Sequence, residues 1–170
     1  GNPVWAMWPM AAPWLSQHLW EHYAFGGDLD FLRQTAYPIM KGAAEFCLDW
    51  LVEQDGHLVT APATSPENDF TTPDGQSAAV SAATTMDMAL IWDLFTNCIE
   101  ACEALGEDAD FQAELTSARE RLYSPPVGQH GQLQEWWQDW DDPDDKHRQH
   151  DEAFDILIGG IADFDTVKVK

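Results

Sequence analysis

The stretch that decides the fold is Thr84-Thr-Met-Asp-Met-Ala-Leu-Ile-Trp-Asp-Leu-Phe-Thr-Asn-Cys-Ile-Glu-Ala-Cys-Glu-Ala-Leu105. Its apolar residues recur three and four positions apart, which is the spacing of one face of an α-helix. The main stripe consists of Met86, Leu90, Leu94, Cys98 and Cys102, and it is widened by Ile91, Phe95 and Ile99. Because Thr84 or Thr85 is a suitable N-terminal cap and Gly106 a suitable stop, the stretch predicts a long helix with one buried face.

Helices are also predicted on both sides of this stretch. They cover residues 13–25, 29–36 and 39–52, and a last one runs from Asp108 or Asp110 to Leu122. Pro38 is expected to break or kink the chain between the second and the third, because proline removes a helical hydrogen bond. Gly26-Gly27 and Asp55-Gly56 are turn signals. Since strand signals are weak until the last residues, the predicted fold class is all-α, built from helical hairpins.

A polar loop, Ala63-Thr-Ser-Pro-Glu-Asn-Asp-Phe70, interrupts the helical pattern. The segment before it, residues 57–60, is short enough to be a strand or an extended lead. Pro62 and Pro66 fix two φ angles and push the preceding residues away from the α region, so the loop backbone is expected to be extended and stiff.

Glu67 is the best candidate for chemistry in this loop. A stiff backbone would hold its carboxyl in one direction, Asn68 would support it, and Phe70 would give it the partly apolar setting that a general acid needs. On this pattern alone, a solvated loop carboxylate is the commoner outcome.

The charge balance limits the classes of partner. With 30 acidic and 8 basic residues among 170, the formal net charge is -22. A surface this acidic repels phosphate backbones and anionic lipids, so we expect no nucleic-acid or membrane partner. Nine tryptophans supply material for a core and for a pocket that takes a neutral ligand.

The three cysteines, Cys47, Cys98 and Cys102, all fall in helix-like patterns with no regular spacing. We therefore expect buried thiols rather than a disulfide framework, and no metal or other cofactor. The first residues contain no basic region followed by an apolar one, so no signal peptide is expected, and the abrupt start suggests a piece of something longer.

Several motifs together resemble glycoside hydrolase family 95, the α-L-fucosidases. They are Pro3-Val-Trp-Ala-Met-Trp-Pro-Met10, Gln17-His-Leu-Trp-Glu-His-Tyr23, Ala36-Tyr-Pro-Ile-Met-Lys-Gly-Ala-Ala-Glu-Phe46, Thr64-Ser-Pro-Glu-Asn68, Thr85-Met-Asp-Met88 and Gly131-Gln-Leu-Gln-Glu-Trp136. The resemblance implies that residues 1–150 form part of an (α/α)6 barrel catalytic domain, and that residues 151–170 are a divergent, irregular tail. It also implies inverting hydrolysis of terminal α-L-fucose, or of a related α-L-galactoside, from a glycan.

The resemblance further implies roles for individual residues. Glu67 corresponds to the general acid of the Ser-Pro-Glu-Asn motif, while the partner aspartate and the Asn pair that serves it match nothing in this chain. By this resemblance, Trp8, Trp14 and Arg148 are expected to bind substrate, with core packing as the alternative for the two tryptophans. Asn68 and Glu135 are further candidates for substrate binding, and Glu135 is alternatively a supporting carboxylate or a solvated loop carboxylate. With the base side and the remainder of the domain missing, the isolated chain is expected to be inactive. Because fucosylated glycans are mostly outside cells, the parent enzyme is expected to be extracellular or periplasmic.

A second hypothesis is a helical scaffold or carbohydrate-binding module without catalysis. Helix pairs stacked as a solenoid also give apolar stripes and short turns, but the hairpins show no repeat at a fixed period. A carboxyl of Glu67 that faces tryptophans in a pocket favours the enzyme, and one that points into bulk water favours the scaffold.

Overall fold

The computed structural model describes residues 3–144, which fold as two compact units. The first, called the loop unit, consists of residues 3–8, 59–89 and 123–144. The second, called the helical unit, consists of residues 9–58 and 90–122.

The elements follow one another in a mainly helical order. A 3-10 turn at Pro3–Trp5 is followed by α1 (Ala11–Gly26), α2 (Leu29–Phe31), a π-helical turn (Leu32–Ala36), α3 (Tyr37–Trp50), β1 (Leu51–Gln54), β2 (His57–Thr60), β3 (Phe70–Thr71), β4 (Ser77–Ala78), α4 (Thr85–Leu105) and α5 (Ala109–Arg121). The strands form two small sheets, β1 with β2 and β3 with β4. The chain is therefore predominantly helical with two small sheets, and the (α/α)6 barrel stays a prediction.

The long helix α4 begins and ends where the sequence predicts. Thr84 precedes its first residue, and the chain leaves the helix at Gly106, which has a φ of 66°. The stripe is buried from Leu90 onward, with Leu90, Phe95 and Cys98 fully inaccessible to solvent. The helical spacing of apolar residues thus defines the core of the helical unit.

The region around Pro38 departs from the predicted break. The chain stays helical from Leu29 to Trp50, and the π-helical turn Leu32–Ala36 lies directly before the proline. In this wider turn, the backbone N–H of Tyr37 donates to the carbonyl of Leu32. A widened turn next to a proline lets the helix continue despite the missing N–H of Pro38.

The end of α3 and the residues after it correct the all-α prediction. The predicted helix through Val52 is wrong, because the chain becomes extended at Leu51 and continues as β1. Asp55 and Gly56 both have positive φ, at 51° and 85°, as a tight hairpin between β1 and β2 requires. The strand alternative for His57–Thr60 is confirmed.

Asp108 opens α5 without capping it through its side chain. Its backbone is left-handed, and its carboxyl instead accepts hydrogen bonds from the Tyr37 hydroxyl at 2.8 Å and the Lys41 ammonium at 2.6 Å. These bonds tie the start of α5 to α3, and they lower the pKa of Asp108.

Candidate active-site loop

The loop that carries Glu67 lies between β2 and β3 and is paired on one side. Ala63 and Ser81 exchange two backbone hydrogen bonds of 2.8 Å as an antiparallel bridge, and the N–H of Ala83 donates to the carbonyl of Thr60 at 2.9 Å. The stretch is not helical, as its prolines predict. The hydroxyl of Thr64 donates to the carbonyl of Met7 at 2.6 Å, which ties the loop to the segment before Trp8. The backbone under Glu67 is therefore fixed from two directions.

Glu67 itself is exposed, although its neighbours are not. Ser65 and Asn68, on either side of it, are only 1% and 5% exposed. The carboxyl thus sits at the tip of a loop whose base is buried. Phe70, which was expected to give Glu67 a partly apolar setting, is itself buried at 5% exposure.

Asn68 forms the main contact below the acid. Its side-chain amide nitrogen lies 3.1 and 3.0 Å from the two carboxylate oxygens of Glu135, and both side chains are buried. The side-chain oxygen of Asn68 accepts from the backbone N–H of Asp69 at 2.9 Å. The backbone N–H of Asn68 donates to the carbonyl of Ser65 at 2.8 Å. One asparagine therefore closes the turn around Glu67 and joins it to a distant part of the chain.

The segment that carries Glu135 is anchored by its neighbours. The backbone carbonyl of Glu135 accepts from the N–H of Thr85 at 3.0 Å, and the Thr85 hydroxyl donates to the carbonyl of Gln134. The side chain of Gln132 donates to the carboxylate of Asp141 at 2.7 Å, and that carboxylate also lies 3.4 Å from the N–H of Glu135. These contacts fix the partner of Asn68 to the first residue of α4.

Aromatic side chains pack against one another at the end of the loop. Phe70 stacks on Trp140 with ring centroids 4.2 Å apart, and it meets the fully buried Trp136 at 4.7 Å. Stacked and tilted aromatic pairs add attraction beyond the area that they bury. The chain directly after Glu67 is therefore held by the packing of Phe70 on these two tryptophans.

Asp87 is a buried carboxyl that the sequence reasoning missed. It is 1% exposed in the first turn of α4, and the indole N–H of Trp8 donates to it at 3.3 Å. Burial raises its pKa to about 7, and the nearby polar groups of Thr60, Trp8 and Thr84 offset only part of this effect. A signal was present, since Asp87 lies three, four and seven residues before Leu90, Ile91 and Leu94, on the buried face.

The predicted site residues fall into three groups. Trp8, Glu67, Asn68 and Glu135 all belong to the loop unit, with Trp8 half-buried. Trp14 is half-buried in the helical unit, within α1. Arg148 lies outside the described residues.

Among residues 3–144, no three or more histidine, cysteine or acidic side chains are grouped as metal ligands. None of the helices described here has the length and apolar character needed to cross a bilayer. The three cysteines are free and buried.

An exposed carboxyl on a loop that is held by hydrogen bonds suits acid–base chemistry on a ligand that arrives from solvent. Residues 1–156 match the family model described as glycosyl hydrolase family 95 catalytic domain. The chain therefore belongs to glycosyl hydrolase family 95.

Two curated relatives carry matching names. The chain is 40% identical over 161 residues to "Alpha-L-fucosidase 2" of Arabidopsis thaliana, an alignment that covers 94% of this chain and 19% of the relative. It is 38% identical over 152 residues to "Probable alpha-fucosidase A" of Aspergillus niger, covering 85% of this chain and 18% of the relative. The chain thus spans about a fifth of the length of the curated relatives that it matches.

Proposed function

We propose that this chain carries the acid half of an inverting glycosidase site that removes terminal α-L-fucose from glycans, with Glu67 as the general acid. Family membership and the two relatives named as fucosidases support the substrate class. The observation that carries the role of Glu67 is that its loop is fixed: Ser65 and Asn68 beside it are buried, and Asn68 is hydrogen-bonded to Glu135. The exposure of Glu67 among residues 3–144 is also what the scaffold hypothesis predicts, so turnover by the complete domain decides between the two. A substrate can reach the carboxyl from solvent, and the backbone that carries the carboxyl is fixed by the buried residues beside it.

In the proposed reaction, Glu67 donates its proton to the glycosidic oxygen as the bond from that oxygen to the sugar C1 breaks. Water attacks C1 from the opposite face, and its proton goes to a carboxylate base. The two carboxyl groups of an inverting site stand about 6.5–9.5 Å apart so that this water fits. We propose that the base comes from parts of the catalytic domain beyond this chain.

Trp8, Trp14 and Arg148 remain the proposed contacts to the sugar. The indole N–H of Trp8 is directed to Asp87, which fixes the ring of this half-buried side chain. Tryptophan rings cover the apolar face and methyl group of a deoxy sugar, and a guanidinium satisfies its hydroxyls. The buried positions of Asn68 and Glu135 favour a supporting role over contact with the sugar.

The proposed partner is a fucosylated oligosaccharide or glycan. We propose an extracellular or periplasmic site of action, because such glycans are found there. The net charge of -22 supports a neutral substrate over nucleic acid or an anionic membrane.

The test is Glu67→Gln in a polypeptide that contains this chain within a complete catalytic domain. Hydrolysis of an α-L-fucosylated oligosaccharide should fall about 10²–10⁴-fold, because a general acid contributes that much. Glu114→Gln, which changes an exposed glutamate of α5, is the matched control and should leave the rate unchanged. NMR of the first released sugar should show the β-anomer, as inversion requires.

Two results would contradict the proposal. Full activity in Glu67→Gln would remove the acid role, and binding of the glycan without any turnover would favour a carbohydrate-binding module or scaffold instead. The 170 residues alone should not turn over the same substrate, because they supply one of the two carboxyl groups.

A further inference from the structure

A buried pair of polar side chains includes the residue that follows the proposed acid in the chain. Asn68 and Glu135 are 67 positions apart in the sequence, and they are 5% and 8% exposed. The amide nitrogen of Asn68 approaches both carboxylate oxygens of Glu135, at 3.1 and 3.0 Å. Hydrogen bonds to a charged acceptor are stronger than neutral ones, and a buried carboxylate that loses its donor is costly.

Each member of the pair is also held by its own surroundings. Asn68 closes the turn around Glu67 through the carbonyl of Ser65 and the N–H of Asp69. Glu135 is bonded through its backbone to Thr85, the first residue of α4. The pair therefore joins the first residue of α4 to the residue next to Glu67.

The burial of the pair argues against direct contact with a sugar. A substrate-binding amide or carboxylate must present polar atoms to the ligand, whereas these two present them to each other. Glu67, by contrast, is exposed one residue away. The pair and the acid are thus separated into an inner support and an outer reacting group.

We propose that Asn68 and Glu135 are positioning residues that hold the loop so that the carboxyl of Glu67 meets the glycosidic oxygen. This inference rests on the proposed function of Glu67. Loss of the pair should slow the step that needs the proton, because a displacement of about 1 Å in a reacting group costs about 10²-fold.

The test compares two leaving groups in the complete catalytic domain that contains this chain. An α-L-fucosylated oligosaccharide needs a proton on its leaving oxygen, whereas α-L-fucosyl fluoride releases fluoride without that help. For Glu135→Gln we expect kcat on the oligosaccharide to fall about 10- to 100-fold, with kcat on the fluoride falling less than about 3-fold and KM changing less than about 2-fold. Glu114→Gln should leave kcat and KM unchanged on both substrates.

A charge exchange provides a second arm. Asn68→Asp places two carboxylates against each other and should be more damaging than Glu135→Gln. The double variant Asn68→Asp with Glu135→Gln again pairs an amide with a carboxylate, and it should recover part of the oligosaccharide activity that Asn68→Asp loses. If Glu135→Gln does not fold, the shorter acid of Glu135→Asp keeps the charge and should show the same difference between substrates.

The outcomes separate the two proposals. Equal loss on both substrates, or a raised KM with kcat unchanged, would overturn the positioning role even if Glu67→Gln behaves as a lost acid. Normal oligosaccharide activity in Glu67→Gln would overturn the acid role first, and the positioning role with it. Absence of any recovery in the double variant would show that the two residues do not act as a pair.

Discussion

The core of the helical unit and the surroundings of Glu67 in the loop unit are built from different kinds of contact. The core of the helical unit consists of apolar side chains from several helices, including the fully buried Leu90 and Phe95 of α4 and Met40 of α3. In the loop unit, single hydrogen bonds join residues that are far apart in the sequence. Those bonds are Thr64 to Met7, Asn68 to Glu135 and Trp8 to Asp87, with separations of 57, 67 and 79 positions.

This difference implies two kinds of sensitivity. Apolar cores lose stability roughly in proportion to the volume that is removed, and they tolerate swaps of similar size. A buried polar pair loses stability when a single donor or acceptor atom is removed, because the remaining partner is left buried without a hydrogen bond. The polar contacts around Glu67 can therefore hold one carboxyl in one direction, whereas the apolar core of the helical unit supplies stability without that directional precision.

The largest effect is expected in the core of the helical unit. Phe95→Ala should lower the free energy of unfolding by about 3–5 kcal/mol, because the ring is fully buried and leaves a cavity. Phe25→Ala is the matched control, since Phe25 is 93% exposed and its removal should cost close to nothing. Urea unfolding followed by circular dichroism measures both, and equal losses would contradict the assignment of the core.

A pH-dependent effect is expected from Asp87 in the loop unit. Its pKa is raised from 3.8 to about 7 because burial penalises the charge. Between about pH 4 and 7 the folded state holds a proton that the unfolded state has lost, so stability falls as pH rises through this window. Below it the carboxyl is neutral in both states, and above it the penalty is complete, at up to about 4 kcal/mol.

Asp87→Asn isolates this effect, because the amide stays neutral and still accepts from Trp8. The variant should gain stability relative to the original chain as pH rises from 4 to 8, as measured by urea unfolding at each pH. A smaller slope should persist from Asp93 in the helical unit, whose pKa burial raises to about 6. Parallel pH profiles for the two proteins would refute the buried, proton-binding state of Asp87.

The same difference between units explains what could be predicted from the sequence. The buried face of α4 and the Asp55-Gly56 turn were predicted, because helical spacing and turn chemistry are local properties. Val52 was assigned to the wrong element, since a short strand at a helix end depends on its hairpin partner. The class of protein came from short motifs in order, not from residue physics.

The contacts of the site could not be predicted in the same way. Nothing in the local pattern of Asn68 indicates that its amide meets Glu135, because that pairing depends on how the whole loop unit folds. Asp87 was overlooked although its position on an apolar face indicates burial. Glu67 was placed on a non-helical loop correctly, whereas the stacking of Phe70 on Trp140 depends on a segment 70 positions further along the chain.

The smallest expected effect sharpens the comparison. One added methyl group should lower the free energy of unfolding at a glycine of the loop unit and raise it at a glycine of the helical unit. At Gly128 an added Cβ would lie 2.2 Å from the Gln132 amide nitrogen, so Gly128→Ala must displace that amide from Asp141. The loss should be about 1–2 kcal/mol, because hydrogen bonds to a charged acceptor are broken. At Gly42, within α3, a Cβ meets nothing within 4 Å, and Gly42→Ala should stabilise the helix by about 0.5–1 kcal/mol. Urea unfolding of the two variants tests this directly. The same sign in both would mean that the segment around Gln132 is not held by its side-chain bonds, and the support under Glu135 would lose its basis.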